Sequence, residues 1–180
     1  MDHAWWVLGP PAPAATPRVV ARVEWDRGHD EFVGVMYLDE PEGIVVARTH
    51  DYWPQAGCLW IRRSEVLSLR ELDEADPEVR VLNELGVRLF ALDPEITELA
   101  TLLGHAVDTP SPVAVYSEST GSDEVLVGLV THVGETGCTL SDVGPDGSLS
   151  GEDLTFDLAE IIAVEWSTDY LNALSILLAT

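Results

Sequence analysis

Phe32-Val33-Gly34-Val35-Met36-Tyr37-Leu38 and Leu126-Val127-Gly128-Leu129-Val130-Thr131-His132 share one pattern, an apolar run with glycine at its third place, at an offset of 94 residues. Ile61-Arg62-Arg63-Ser64-Glu65-Val66-Leu67-Ser68-Leu69 then falls into line with Phe156-Asp157-Leu158-Ala159-Glu160-Ile161-Ile162-Ala163-Val164 at an offset of 95. One residue of loop slippage reconciles a unit of roughly 50 residues that occurs twice. Such repetition reports architecture, not chemistry.

Outward from these runs, the first repeat reads as strands at 18–25, 31–38, 44–49, 58–63 and 65–70, separated by Asp, Gly and Pro clusters that suit turns. The second gives 113–118, 124–133, 138–143, 154–157 and 160–166. A second strand apolar on both faces needs cover on both sides, which predicts a small, strongly bent barrel of five strands in each repeat. Gly34 and Gly128 stand mid-strand, where glycine permits a sharp bend or a close backbone approach.

Asp76-Pro77 and Asp93-Pro94 each place a capping acid before a first-turn proline. They predict helices over 77–85 and 94–103, the second ending at Gly104. A third is expected from Asp169, with Tyr170, Leu171, Leu174, Leu177 and Leu178 on one buried face. The expected fold is therefore mostly β with minor α: two pseudo-repeated five-stranded barrels, a helical connector and a C-terminal helix. The boundaries are a tail and Pro-rich linker at 1–17, the first barrel at 18–72, the connector at 73–111, and the second barrel with its helix at 112–180.

Charge is the unusual quantity. Against 32 acidic residues stand 9 basic ones, a net charge of −23, and every basic residue is arginine. Residues 1–72 carry net −4, residues 73–111 net −7, and residues 112–180 net −12 with no cation at all. Nucleic-acid binders draw much of their affinity from phosphate neutralisation by Lys and Arg, so nucleic acid is disfavoured as a partner. Anionic membranes are disfavoured by the same repulsion. A basic protein surface is what such a field attracts and steers.

Cys58 and Cys138 do not fall at equivalent places in the repeats and make no disulfide framework, so both read as buried thiols. Met1-Asp2-His3-Ala4-Trp5-Trp6-Val7-Leu8 lacks the basic start and long apolar core of a signal peptide, and no apolar run is long enough to span a bilayer. A cytoplasmic location is the expectation. Trp5-Trp6-Val7-Leu8 is apolar enough to hook onto a groove or an edge strand.

Catalytic strings are missing. The histidines, His3, His29, His50, His105 and His132, show no metal-ligand spacing, and no GxSxG, P-loop, HExxH or GxGxxG motif occurs. Asp142 to Asp153 superficially has the acids of a calcium loop, but its third place is Gly144, its twelfth is Asp153, and its flanks read as strands; it is an acidic hairpin loop. No catalytic residue, metal or cofactor is assigned. Trp25, Trp53, Trp60 and Trp166 are read as core in preference to a base-stacking platform.

Val127 to Val133, Cys138-Thr139-Leu140-Ser141-Asp142-Val143 and Glu160-Ile161-Ile162-Ala163-Val164-Glu165 resemble the strand sequence of the Sm-like small barrel. The chain from 18 to 180 is similar to uncharacterised bacterial proteins built from two such Sm-like or SH3-like units. The RNA-binding members carry an Asp-x-x-Met-Asn turn and an Arg-Gly pair; here Gly134-Glu135-Thr136-Gly137-Cys138 and Leu158-Ala159 stand in those places, and Arg62-Arg63 is not followed by Gly. RNA contacts therefore do not carry over.

The expected function is a non-enzymatic protein-binding module, an immunity-type or inhibitor protein, a monomer or dimer whose second half engages a basic protein through Glu135, Asp142, Asp146, Glu152 and Asp153. The alternative is an Sm-like nucleic-acid-binding protein using Arg18, Arg22, Arg48, Arg62 and Arg63.

Overall fold

The computed structural model describes residues 19–26, 31–50, 53–54, 57–84, 98–120 and 124–179. Arg18, the Trp5-Trp6 tail, the Pro-rich linker and the Asp93-Pro94 start signal lie outside the described residues.

The first repeat supplies β1 (Val19–Trp25), β2 (Glu31–Asp39), β3 (Gly43–His50), β4 (Trp53–Pro54), β5 (Cys58–Arg62) and β6 (Val66–Glu71). The connector holds α1 (Pro77–Glu84) and α2 (Leu99–Asp108). The second repeat supplies β7 (Pro112–Ser117), β8 (Leu126–Val133), β9 (Gly137–Val143), β10 (Leu149–Asp157) and β11 (Ile161–Trp166), followed by α3 (Asp169–Leu178). The protein is mostly β, with a C-terminal helix.

The repeat is present rung by rung. Gly34 pairs with Ala21 and Arg48, as Gly128 pairs with Val113 and Asp142. The register shift between Met36 and Leu38 recurs between Val130 and His132. Another shift falls where β6 meets β1 and again where β11 meets β7. Each glycine lets the third strand come close: a Cβ on Gly34 would lie 2.7 Å from the Ala47 carbonyl oxygen, and one on Gly128 2.8 Å from that of Ser141.

Two separate barrels are not what forms. The strands make one eleven-stranded antiparallel sheet, ordered β10-β9-β8-β7-β11-β5-β3-β2-β1-β6, with the short β4 beside β3. Within each repeat the order is fourth, third, second, first, fifth, and closing a barrel would pair fourth with fifth. The fourth strand of repeat one, β5, is instead taken by the fifth strand of repeat two, β11, from Ala163↔Ile61 to Trp166↔Cys58. The ladder therefore runs across the repeats and stays open at β10 and β6, each paired on one side only among the described residues.

The first half curls around Val23, Trp25, Ile44, Val46, Leu59 and Ile61, joined by Ala163 from β11. The larger cluster combines Val45, Ala47, Cys58 and Trp60 of the first half with Val115, Val130, Leu140, Phe156 and Val164 of the second. Into it α2 inserts Leu99, Leu102, Leu103 and Ala106. The halves therefore share this cluster.

Two helix expectations are corrected. α2 begins at Leu99 and passes through Gly104 to Asp108. A mid-helix glycine costs only about 1 kcal/mol, and continuing through it lets the helix bury Ala106 in the core. On α3, Leu171 and Leu174 are buried against Ala114 and Val143, whereas Tyr170 is 51% and Leu177 46% exposed. The helix meets the sheet along the narrower 171, 174, 178 stripe. No helix among the described residues is long and apolar enough to cross a membrane.

Candidate functional site

Four of the first-half arginines, Arg22, Arg48, Arg62 and Arg63, are tied into the fold. Arg22 bonds Glu31 and Glu78 at 2.8 and 2.9 Å, and the Glu31 bond holds its guanidinium above the usual range. Arg48 reaches across the seam between the halves to Glu165 at 3.1 Å and lies over the Trp25 and Phe32 rings. Arg62, also crossing the seam, donates to the Ile161 carbonyl at 2.6 and 2.9 Å and to that of Leu158 at 2.7 Å. Arg63 holds Asp39 at 2.7 Å. A guanidinium on fixed carbonyls or a carboxylate makes charge-assisted bonds that an exchange for phosphate must first break.

Where the halves meet, a cleft of about 610 Å³ opens, lined by Arg48, Cys58, Tyr116, Glu165, Asp169 and Tyr170 among others. Gly57, which also lines it, sits at a tight crossing: it has φ 101° and would drive a Cβ to 2.7 Å from the Trp166 carbonyl oxygen, while Ser167 beside that oxygen has φ 67°. Cys58 faces this region but is buried, and burial pushes its thiol up to about 12; Cys138 is pushed up to about 11 for the same reason. Since the thiolate is the reactive form, neither cysteine is expected to take an alkylating reagent at about pH 8 until the chain is unfolded. Mass spectrometry before and after denaturant checks this, and labelling of the native chain would contradict it.

The carboxylates of the second half divide along the β9–β10 ladder. Ser141↔Asp153 sets Asp142, Glu152 and Asp153 at one end, and Gly137↔Asp157 sets Asp157 near Glu135 at the other. Asp146, in the hairpin turn, accepts from the Ser148 hydroxyl at 2.6 Å and from its N–H at 3.0 Å, which holds its carboxyl below the usual range. That residue braces the turn. Glu135, Glu152 and Asp153 are exposed and Asp142 is half-buried.

The same edge holds residues that sequence reasoning passed over. Leu154, Thr155 and Phe156 of β10 occupy the rungs that Leu59, Trp60 and Ile61 occupy in β5. In β5 these are buried; in β10 Thr155 is exposed and Leu154 half-buried. The signal was available: Cys58 to Ile61 is apolar throughout, as a doubly covered strand is, whereas Asp153 to Asp157 alternates, as a strand with one open face does. Trp25, Trp60 and Trp166 are all buried in the core.

Comparisons with protein-family models, with curated proteins and with solved structures find no match to this chain.

Proposed function

We propose that this protein is a non-enzymatic, acidic protein-binding module whose second half engages a basic partner protein, in the manner of an immunity-type or inhibitor protein that occludes a cationic toxin or nucleic-acid enzyme. The observation that carries this reading is the uncompensated charge: twelve carboxylates and no cation from Pro112 to Thr180, with Glu135, Glu152 and Asp153 exposed at the end of the sheet where, among the described residues, β10 is paired on one side only. A field of one sign raises the encounter rate with the opposite sign and repels like-charged competitors. The nucleic-acid reading has less to draw on, because Arg22, Arg48, Arg62 and Arg63 already hold intramolecular partners.

The test is a low-salt pull-down from lysate of the protein's own source cells, run beside a Glu135→Gln, Glu152→Gln, Asp153→Asn variant that leaves Asp146 to brace its turn. The wild type is expected to retain a basic protein that the variant loses. The measured affinity of that complex should fall about 10-fold or more as salt rises from low to physiological. Recovery of no basic protein at any ionic strength, or recovery of nucleic acid in its place, contradicts the proposal.

A further inference from the structure

We propose that the outer edge of β10 accepts an antiparallel β-strand from the basic partner, seated on Asp153–Phe156 as β11 is seated on β5. This rests on the reading above and gives the mode of contact.

The argument starts from the equivalence of the repeats. Gly43↔Arg62, Ile44↔Ile61 and Val45↔Trp60 in the first half match Gly137↔Asp157, Cys138↔Phe156 and Thr139↔Thr155 in the second. Cys58 to Ile61 and Asp153 to Phe156 are therefore the same four rungs of the same fold. On β5 those rungs carry a strand on the far side, β11, at Ala163↔Ile61 through Trp166↔Cys58. On β10 the described residues place none there. An open edge presents a row of backbone donors and acceptors already at ladder spacing, and adding a strand satisfies them. The available stretch is short, because β10 is irregular between Leu149 and Asp153.

Side chains on and beside this stretch specify the occupant. Glu152, Asp153 and Asp157 are exposed with Thr155 between the last two, and the half of the chain that holds them has no cation. Charges on an edge discourage neutral and acidic strands from adding, and the same charges select an extended segment with Lys or Arg at alternate places. A second copy fits poorly. Among the described residues its other open edge is β6, and the pairing rule of β11 on β5 would set Glu71 against Asp153, between two chains each of net charge −23.

The test uses a synthetic ten-residue peptide alternating Lys and Val, and the same peptide N-methylated at every amide, which keeps the charges and removes the backbone donors. The full-length protein is titrated with each by fluorescence anisotropy, and amide hydrogen exchange is followed by NMR. The unmodified peptide is expected to bind about 10-fold or more tighter than its methylated form and to slow exchange at residues 153–157. Equal binding of the two peptides without protection of β10 would overturn strand addition while leaving a charge-driven partner in place. Binding of neither would overturn both. Sedimentation of the peptide-free protein as a dimer with β10 already protected would assign the edge to a second copy and overturn the proposal.

Discussion

Trp60→Ala is expected to lower the stability of the whole chain by about 4 kcal/mol, within the range for truncating a buried tryptophan. Trp60 is 1% exposed and lies in the cluster that draws on both halves and on α2. It stands opposite Val45 on one side and Val164 on the other, so it belongs to the ladder that joins the repeats. A cavity there disturbs a cluster to which β3, β11 and α2 all contribute, so the loss is felt in both halves. Urea denaturation followed by circular dichroism and by the fluorescence of the remaining tryptophans should give one coincident transition in wild type and variant alike, displaced to lower urea in the variant. Two transitions, with only the first-half one displaced, would show that the halves unfold independently.

Gly34→Ala is the second large effect, expected at about 3 kcal/mol of destabilisation. The added methyl would meet the Ala47 carbonyl oxygen and the Val46 side chain, and the backbone there is locked by pairing on both sides. Gly104→Ala is the contrast within one experiment. Nothing lies within 4 Å of the position a Cβ would take, and the residue sits inside α2. Exchanging glycine for a better helix former should there raise stability by about 0.5–1 kcal/mol. Thermal or urea midpoints order the three chains, and a Gly34→Ala chain as stable as wild type would mean the strands are not held as close as the pairing places them.

Much of this was legible in the residues. Nine of the ten longer strands fall within two positions of where alternation and turn residues put them, because period-2 patterning and Gly, Pro and Asp punctuation are local properties; β10 begins five residues before the expected Leu154. The β9–β10 hairpin around Asp146 and the start of α3 behind Thr168, whose hydroxyl accepts from the Leu171 N–H, are local as well. Errors came where a distant partner outweighed a local preference. Gly104 reads as a stop until the core that receives Ala106 is known. Tyr170 and Leu177 read as buried until the sheet surface under α3 is seen to be narrow. Leu154 to Phe156 carry no local mark of an edge, because an edge is defined by what lies beside a strand, not by the strand's own residues.

The duplicated strand pattern, the two mid-strand glycines and the one-sided charge follow from residue identity and spacing alone. That β11 crosses to β5 is a matter of packing across the whole fold, and with it come the single sheet shared by the repeats, the use of Arg48 and Arg62 at the seam, and, among the described residues, the edge at β10. Strand pairing is a contest among backbone groups that all residues carry alike, so its winner is chosen by which apolar faces can be buried together. That choice is made by the whole chain.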